Sequence, residues 1–272
     1  MRFAHAAILV AGALAALGAW AAPVAFVADI RGNATIEGNG KLTFLAELAP
    51  GTRLLLGTNA SAAITYASSG AEFAIAGPGQ FLVSADEVTA EKGARPKRRT
   101  VAALTGTGIV ARAAQTATAS LRMRGLGSAP PPAALEYPVT TKIATLRPAM
   151  RWRAGVGEEY TVAVHDASGK ELWKGRGKAE GTRPAIPLAA ATRYSWTVAS
   201  ARGTLGEAYF ETLPAQDIGR AEKSRAAART FPDRVVHALL LQELGADQEA
   251  RQLWAELAGE RPDLPELPAL AR

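Results

Sequence analysis

Short apolar runs separated by glycine- and proline-containing turns fill the N-terminal part of the chain. Between Leu45 and Val83 the runs are interrupted at residues 50–51, 57–59, 68–70 and 77–79. Glycine accepts positive φ and proline fixes its own φ, so these positions favour turns. Short strands between regular turns predict a compact antiparallel β-domain, which we place at residues 22–124.

A second block, residues 137–213, shows the alternation of a half-buried strand most clearly at 193–198. There Tyr194, Trp196 and Val198 alternate with small polar residues, so they are expected on one face. Roughly six or seven short strands around a few large aromatic residues indicate a β-sandwich.

Residues 125–136 are rich in glycine and proline and predict a linker between the two β-domains, because consecutive prolines favour extended backbone that cannot pair in a sheet. Residues 101–124 leave two alternatives open. The segments 101–105 and 117–123 fit strands, whereas the chain from Ala113 onward also fits a helix.

From residue 214 to 272 the pattern becomes helical, so the whole chain is expected to be mainly β with a short α-helical hairpin at its C-terminal end. Pro232 opens an apolar helix that Gly245 ends, and Asp247 is expected to cap the next helix. One hairpin cannot bury both of its apolar faces. The surplus surface is therefore expected either to cap the sandwich or to bind another chain. The candidate partner-binding residues are Leu240, Leu244 and Trp254.

The first block has a motif order that resembles the FecR-type periplasmic domain. Leucine and glycine alternate at Leu48, Gly51, Leu54 and Gly57, and the turns at 69–72 and 77–79 follow. This resemblance covers residues 22–124. It implies a non-catalytic β-module of bacterial envelope proteins.

The later blocks carry two further resemblances. Leu188 with Tyr194, Trp196 and Val198 resembles the "L…Y.W.V" pattern of fibronectin type III domains, which implies that Tyr194 makes a corner hydrogen bond. The tail resembles a single tetratricopeptide hairpin and so implies a partner-binding role. The tail residues at that spacing are Ala238, Leu241, Gly245, Ala250, Trp254, Leu257 and Pro262.

The N-terminus predicts export. A positive start at Arg2, an apolar run over 6–18 and small residues at Ala19 and Ala21 are typical of a secretory signal peptide at residues 1–21. A retained anchor is the less favoured alternative, because a spanning helix needs about 20 apolar residues. No other stretch is long and apolar enough to span a bilayer, so a periplasmic or exported protein is expected. The chain contains no cysteine, so its domains must be stable through burial alone.

The formal net charge of +6 is concentrated after residue 91. We call Arg95, Lys97, Arg98 and Arg99 the basic cluster. It is a candidate contact for an anionic polymer, such as lipopolysaccharide or a cell-wall polymer, and an exported protein is not expected to meet nucleic acid. The favoured alternative is a solvated charge run that only promotes solubility.

No residue pattern predicts catalysis, a cofactor or a metal. The only histidines after the signal peptide, His165 and His237, are isolated, and a structural role is expected for both. The G-x-G-x-x-A match at 106–111 lacks a βαβ context. Trp152 and Trp196 are expected in the core, which leaves Trp173 as the candidate sugar platform.

The sequence thus predicts an exported, non-catalytic binding or scaffolding protein whose partner is another envelope protein or an anionic cell-wall polymer. The alternative is a polysaccharide-binding or polysaccharide-acting protein. FecR-type signalling to a sigma factor is disfavoured, because only residues 1–5 precede the apolar run.

Overall fold

The computed structural model describes residues 22–101, 135–153, 159–178 and 181–272. The predicted signal peptide lies outside these ranges. So do the ambiguous segment from residue 102 onward and most of the predicted linker. The described part of the chain is mainly β, as the sequence predicts.

Residues 22–101, called here the first β-unit, form two five-stranded antiparallel sheets with the strand orders β10-β7-β6-β1-β4 and β3-β2-β5-β8-β9. The strands are β1 Ala25–Arg31, β2 Ala34–Ile36, β3 Gly40–Lys41, β4 Glu47–Leu48, β5 Arg53–Leu56, β6 Ser61–Tyr66, β7 Ala71–Ala76, β8 Gly79–Val83, β9 Val88–Lys92 and β10 Lys97–Thr100. Strand β5 shows why they form, because Leu54 and Leu56 point into the core while Arg53 points to solvent. Both sheets contribute to one core.

Residues 135–213, called here the sandwich, form a five-stranded sheet with the strand order β12-β17-β16-β14-β15 and a two-stranded sheet of β11 and β13. The strands are β11 Leu135–Tyr137, β12 Thr141–Ile143, β13 Arg151–Trp152, β14 Tyr160–Asp166, β15 Glu171–Gly177, β16 Arg193–Ser200 and β17 Gly203–Thr212. Their buried side chains form a second core.

The alternation predicted for residues 193–198 is confirmed. Tyr194, Trp196 and Val198 are buried, and so is Trp152. The Tyr194 hydroxyl accepts a hydrogen bond from the Ala189 amide at 2.8 Å, so the expected corner bond is present. The linker boundary was wrong by two residues, because Leu135 is buried against the sandwich core and pairs with Trp152.

Residues 214–272, called here the helical tail, contain α1 Ala215–Ala227, α2 Phe231–Glu243, α3 Asp247–Glu260 and the short α4 Leu267–Leu270. Helix α2 begins with a capping box between Thr230 and Asp233. It ends at Glu243, and Gly245 just beyond it has φ +78°, which lets the Ala246 amide donate to the Leu241 carbonyl at 2.8 Å. The cap expected at Asp247 was wrong. Asp247 is the first helical residue and its side chain makes no capping hydrogen bond.

The apolar face of the tail packs on the first β-unit as well as on the sandwich, which was the only surface that the capping hypothesis named; the sandwich contributes Ala144 and Leu213 to the same core. The Phe44 ring lies 6.2 Å from the Phe231 ring and 6.4 Å from the Trp254 ring. The Arg261 guanidinium donates to the Ile30 carbonyl at 2.7 Å. Helices α2 and α3 therefore share one apolar core with the first β-unit.

Within the described ranges, no helix combines the length and the apolar character needed to cross a membrane.

Candidate functional site

Helix α3 contacts the sandwich through polar side chains. Glu249 accepts a hydrogen bond from the Tyr137 hydroxyl at 2.7 Å and another from the Ala144 amide at 2.8 Å. The neighbouring Gln248 accepts one from the Val139 amide at 2.8 Å. One face of α3 is thus committed to the sandwich by hydrogen bonds, while its apolar face lies in the core shared with the first β-unit.

Burial controls the protonation of this contact. Burial raises the pKa of the Glu249 carboxyl, although the hydrogen bonds from Tyr137 and from the Ala144 amide oppose the shift. Burial and the adjacent Glu249 raise the pKa of the Tyr137 hydroxyl. Tyr137 therefore keeps its proton at neutral pH and remains the donor.

A cleft of about 430 Å³ lies beside this contact, between the sandwich and helices α1, α2 and α3. We call it the interdomain cleft. Its wall carries five arginines and three glutamates. The arginines are Arg147, Arg151, Arg183, Arg225 and Arg234, and the glutamates are Glu222, Glu249 and Glu256.

Two of these arginines have partners. Arg234 forms ion pairs with Glu256, at 3.3 Å, and with Glu260. Arg151 donates to the Gln252 side chain at 2.7 Å and lies over the Tyr137 ring, 5.1 Å from its centroid.

The remaining three arginines of the cleft lack such partners among the described residues. Arg147, Arg183 and Arg225 are exposed and make no ion pair or side-chain hydrogen bond with any residue that the structure describes. Arg147 and Arg183 come from sandwich loops, and Arg225 from the last turn of α1. The cleft therefore gathers positive charge that the described carboxylates do not neutralise.

His237 contributes to the wall of the cleft but is itself buried. Its Nδ1 lies 3.2 Å from the Ser224 hydroxyl oxygen, and burial together with Arg225 lowers its pKa to about 4. The imidazole is therefore neutral at physiological pH. His165 lies apart from it, on strand β14. Among the described residues no group of three or more histidine, cysteine or acidic side chains is placed to hold a metal ion.

The basic cluster does not form one continuous surface. Arg95 precedes β10, and side chains alternate across the sheet within that strand, so Arg98 faces away from Lys97 and Arg99. The Arg99 guanidinium is taken up by Glu72, at 2.6 and 2.7 Å, and by Asp233, at 2.8 Å. Three of the four residues thus remain exposed, and Arg99 has a structural partner.

The candidate partner-binding residues of the tail also need correction. Leu240 and Trp254 are fully buried, and Leu244 is half-buried against the shared core. Buried side chains are not available to a partner from solution. Trp254 lies in the core shared with the first β-unit, beside Phe44, an arrangement that the local sequence pattern does not reveal.

An exposed aromatic residue that sequence reasoning missed is Tyr209. It lies on the outer face of the sandwich, opposite Ser195, and is 62% exposed beside a depression of about 920 Å³. The alternation of β17, which buries Ala208 and Phe210, could have identified it. Trp173, the predicted sugar platform, is instead half-buried against the sandwich core.

No family model matches this chain, and no curated protein matches it.

Proposed function

We propose that this chain is an exported, non-catalytic binding or scaffolding protein of the bacterial periplasm or cell envelope, and that the interdomain cleft is its binding site. The observation that carries the proposal is that helix α3 contacts both the first β-unit and the sandwich. Its apolar face packs on the first β-unit while Glu249 accepts hydrogen bonds from the sandwich. The sandwich and the tail thereby enclose a concave site lined by charged side chains.

The compartment rests on the predicted signal peptide at residues 1–21 and on the resemblance of residues 22–124 to FecR-type periplasmic domains. Under this proposal the mature chain begins at Ala22. N-terminal sequencing of the protein from a periplasmic fraction tests it, and an intact Met1 in the membrane fraction would contradict it.

Affinity capture from a solubilised envelope fraction tests the binding site. Ala149 lines the cleft and is half-buried, so Ala149→Trp should fill the cleft and abolish capture of the partner. The matched control is Ala226→Trp, which adds the same side chain at an exposed position of α1 outside the cleft. If both variants captured the partner equally well, the cleft would not be the binding site.

A second candidate function, carbohydrate binding, is favoured by Tyr209. An exposed aromatic ring offers a flat apolar surface for the C–H face of a sugar, and Asp166, Lys142 and Glu211 around the same depression can bind hydroxyl groups. Tyr209→Ala should abolish binding of chitohexaose in calorimetry. Ile186→Ala, which removes another exposed apolar side chain, should not. Absence of chitohexaose binding by the wild-type chain would count against this candidate.

A further inference from the structure

Three arginines of the interdomain cleft, Arg147, Arg183 and Arg225, have no ion-pair partner among the residues that the structure describes. A guanidinium carries five N–H donors in a planar fork that matches the oxygen pairs of carboxylate and phosphate groups. Arg147, Arg183 and Arg225 arise from three separate segments and line the same concave volume. Convergence of separate segments distinguishes this set from a run of charges along one exposed strand.

The described acidic residues of the cleft offset these charges only in part, because Glu249 attracts Arg225 without forming an ion pair with it. Glu249 is occupied by Tyr137 and by the Ala144 amide, and Glu256 is paired with Arg234. Only Glu222 is left among the three glutamates of the wall, and it is exposed. A concave wall with surplus positive charge concentrates the field on any anion that enters it.

We infer that the interdomain cleft binds a ligand carrying two or more phosphate or carboxylate groups, held by Arg147 and Arg183 from the sandwich and by Arg225 from the tail. This inference rests on the proposed function and names the ligand class of the same site. A volume of about 430 Å³ suits a small polyanion or the charged end group of a polymer. Because its contacts come from both sides, the ligand also ties the sandwich to the tail.

Calorimetry on the chain 22–272 tests the inference, with pyrophosphate as the phosphate probe and citrate as the carboxylate probe. The test variant is R147S/R183S/R225S. The matched control is R95S/K97S/R98S, which removes the same three positive charges from exposed residues of the basic cluster. Neither triple removes a side chain that is ion-paired within the described ranges, so both variants should fold, and circular dichroism with thermal melting checks that they do.

The test variant should bind the effective probe at least about tenfold more weakly than wild type, since a hydrogen bond to a charged group contributes that much or more. The control should keep its affinity within about twofold, because Arg95, Lys97 and Arg98 do not line the cleft and salt screens exposed charges with a Debye length of about 8 Å. Binding of pyrophosphate alone, or of citrate alone, supports the site and narrows the ligand class.

Three outcomes would overturn the inference. The first is that neither probe binds the wild-type chain at millimolar concentration. The second is that both triple variants weaken binding equally. The third is that only the control variant weakens binding, which would place the anion site at the basic cluster. If anion binding fails while Ala149→Trp still abolishes partner capture, the proposed binding function stands and only the ligand class is wrong.

Discussion

Replacing Arg99 with methionine should destabilise the protein, because its guanidinium connects the first β-unit to the tail. It contacts Glu72 on strand β7, Asp233 at the start of α2, and Thr230, whose hydroxyl accepts from it at 3.0 Å. Glu72 and Asp233 are almost completely buried, with 3% and 5% of their surface exposed. Arg99→Met leaves both carboxylates without their cation.

The magnitude follows from the burial of the two carboxylates. Removing one partner of a buried ion pair costs about 3–5 kcal/mol, because an uncompensated charge remains inside the protein. The Arg99 side chain is 38% exposed, so water screens part of this interaction. We expect the free energy of unfolding to fall by about 2–3 kcal/mol at pH 7.

Urea denaturation followed by tryptophan fluorescence measures this loss, with Arg98→Ser as the control. Arg98 is the adjacent exposed residue and should change stability by less than about 0.5 kcal/mol. The double variant Arg99→Met/Glu72→Gln has one buried charge fewer. Its free energy of unfolding should therefore fall by less than the sum of the decreases in the two single variants.

The pH dependence gives a second readout. Burial raises the pKa of Glu72, while Arg99 opposes the shift, so removing Arg99 should raise that pKa further. The folded state then binds more protons than the unfolded state, and Arg99→Met should regain part of its stability as the pH falls from 7 towards 5. An Arg99→Met protein as stable as wild type that has lost anion binding would refute this reasoning and return Arg99 to the ligand-binding basic cluster.

Three further predictions concern the tail. Trp254→Ala should lower the free energy of unfolding by about 3–5 kcal/mol in the same urea assay, and Trp173→Ala, at a half-buried site, clearly less; equal losses would contradict the shared core. The folded-state pKa of His237 is lowered to about 4, so the unfolded state binds more protons between about pH 4 and 6.5; on acidification through that window the free energy of unfolding of wild type should fall by up to about 3 kcal/mol more than that of His237→Asn, and equal losses would contradict the burial of a neutral imidazole. In hydrogen exchange at increasing urea, amides of α2 and α3 should open together with β1, and opening together with β14 and β16 instead would count against the arrangement.

Local chemistry made much of the fold predictable. The predicted turns at residues 50–51 and 68–70 are examples, since Gly51 and Gly70 both have positive φ. The inward face of β16 followed from strict alternation. The end of α2 just before Gly245 followed from the low cost of positive φ at glycine. Each of these features depends on residues close together in the chain.

The features that could not be predicted depend on distant residues. The pairing of Arg99 with Asp233 joins segments 134 positions apart in the numbering, and nothing near either residue indicates the other. The same is true of Phe44, which contacts α2 and α3. The apolar pattern of the tail correctly indicated surplus surface to be covered. The spacing of the apolar residues does not show which surface covers them, because hydrophobic burial is non-directional and does not specify its partner.

The interdomain cleft lies beside helix α3, which makes apolar contacts on one face and polar contacts on another. Ala250, Trp254 and Leu257 point into the core shared with the first β-unit, while Glu249 and Gln252 point to the sandwich. Apolar packing is non-directional, and the core that holds α3 on the first β-unit reaches the sandwich through Ala144 and Leu213. The hydrogen bonds of Glu249 are directional, and they orient α3 relative to Tyr137 and the Ala144 amide of the sandwich. Polar and apolar contacts therefore both join the tail to the sandwich beside the cleft, and a ligand bound by Arg147 and Arg225 would add a further link between these two walls.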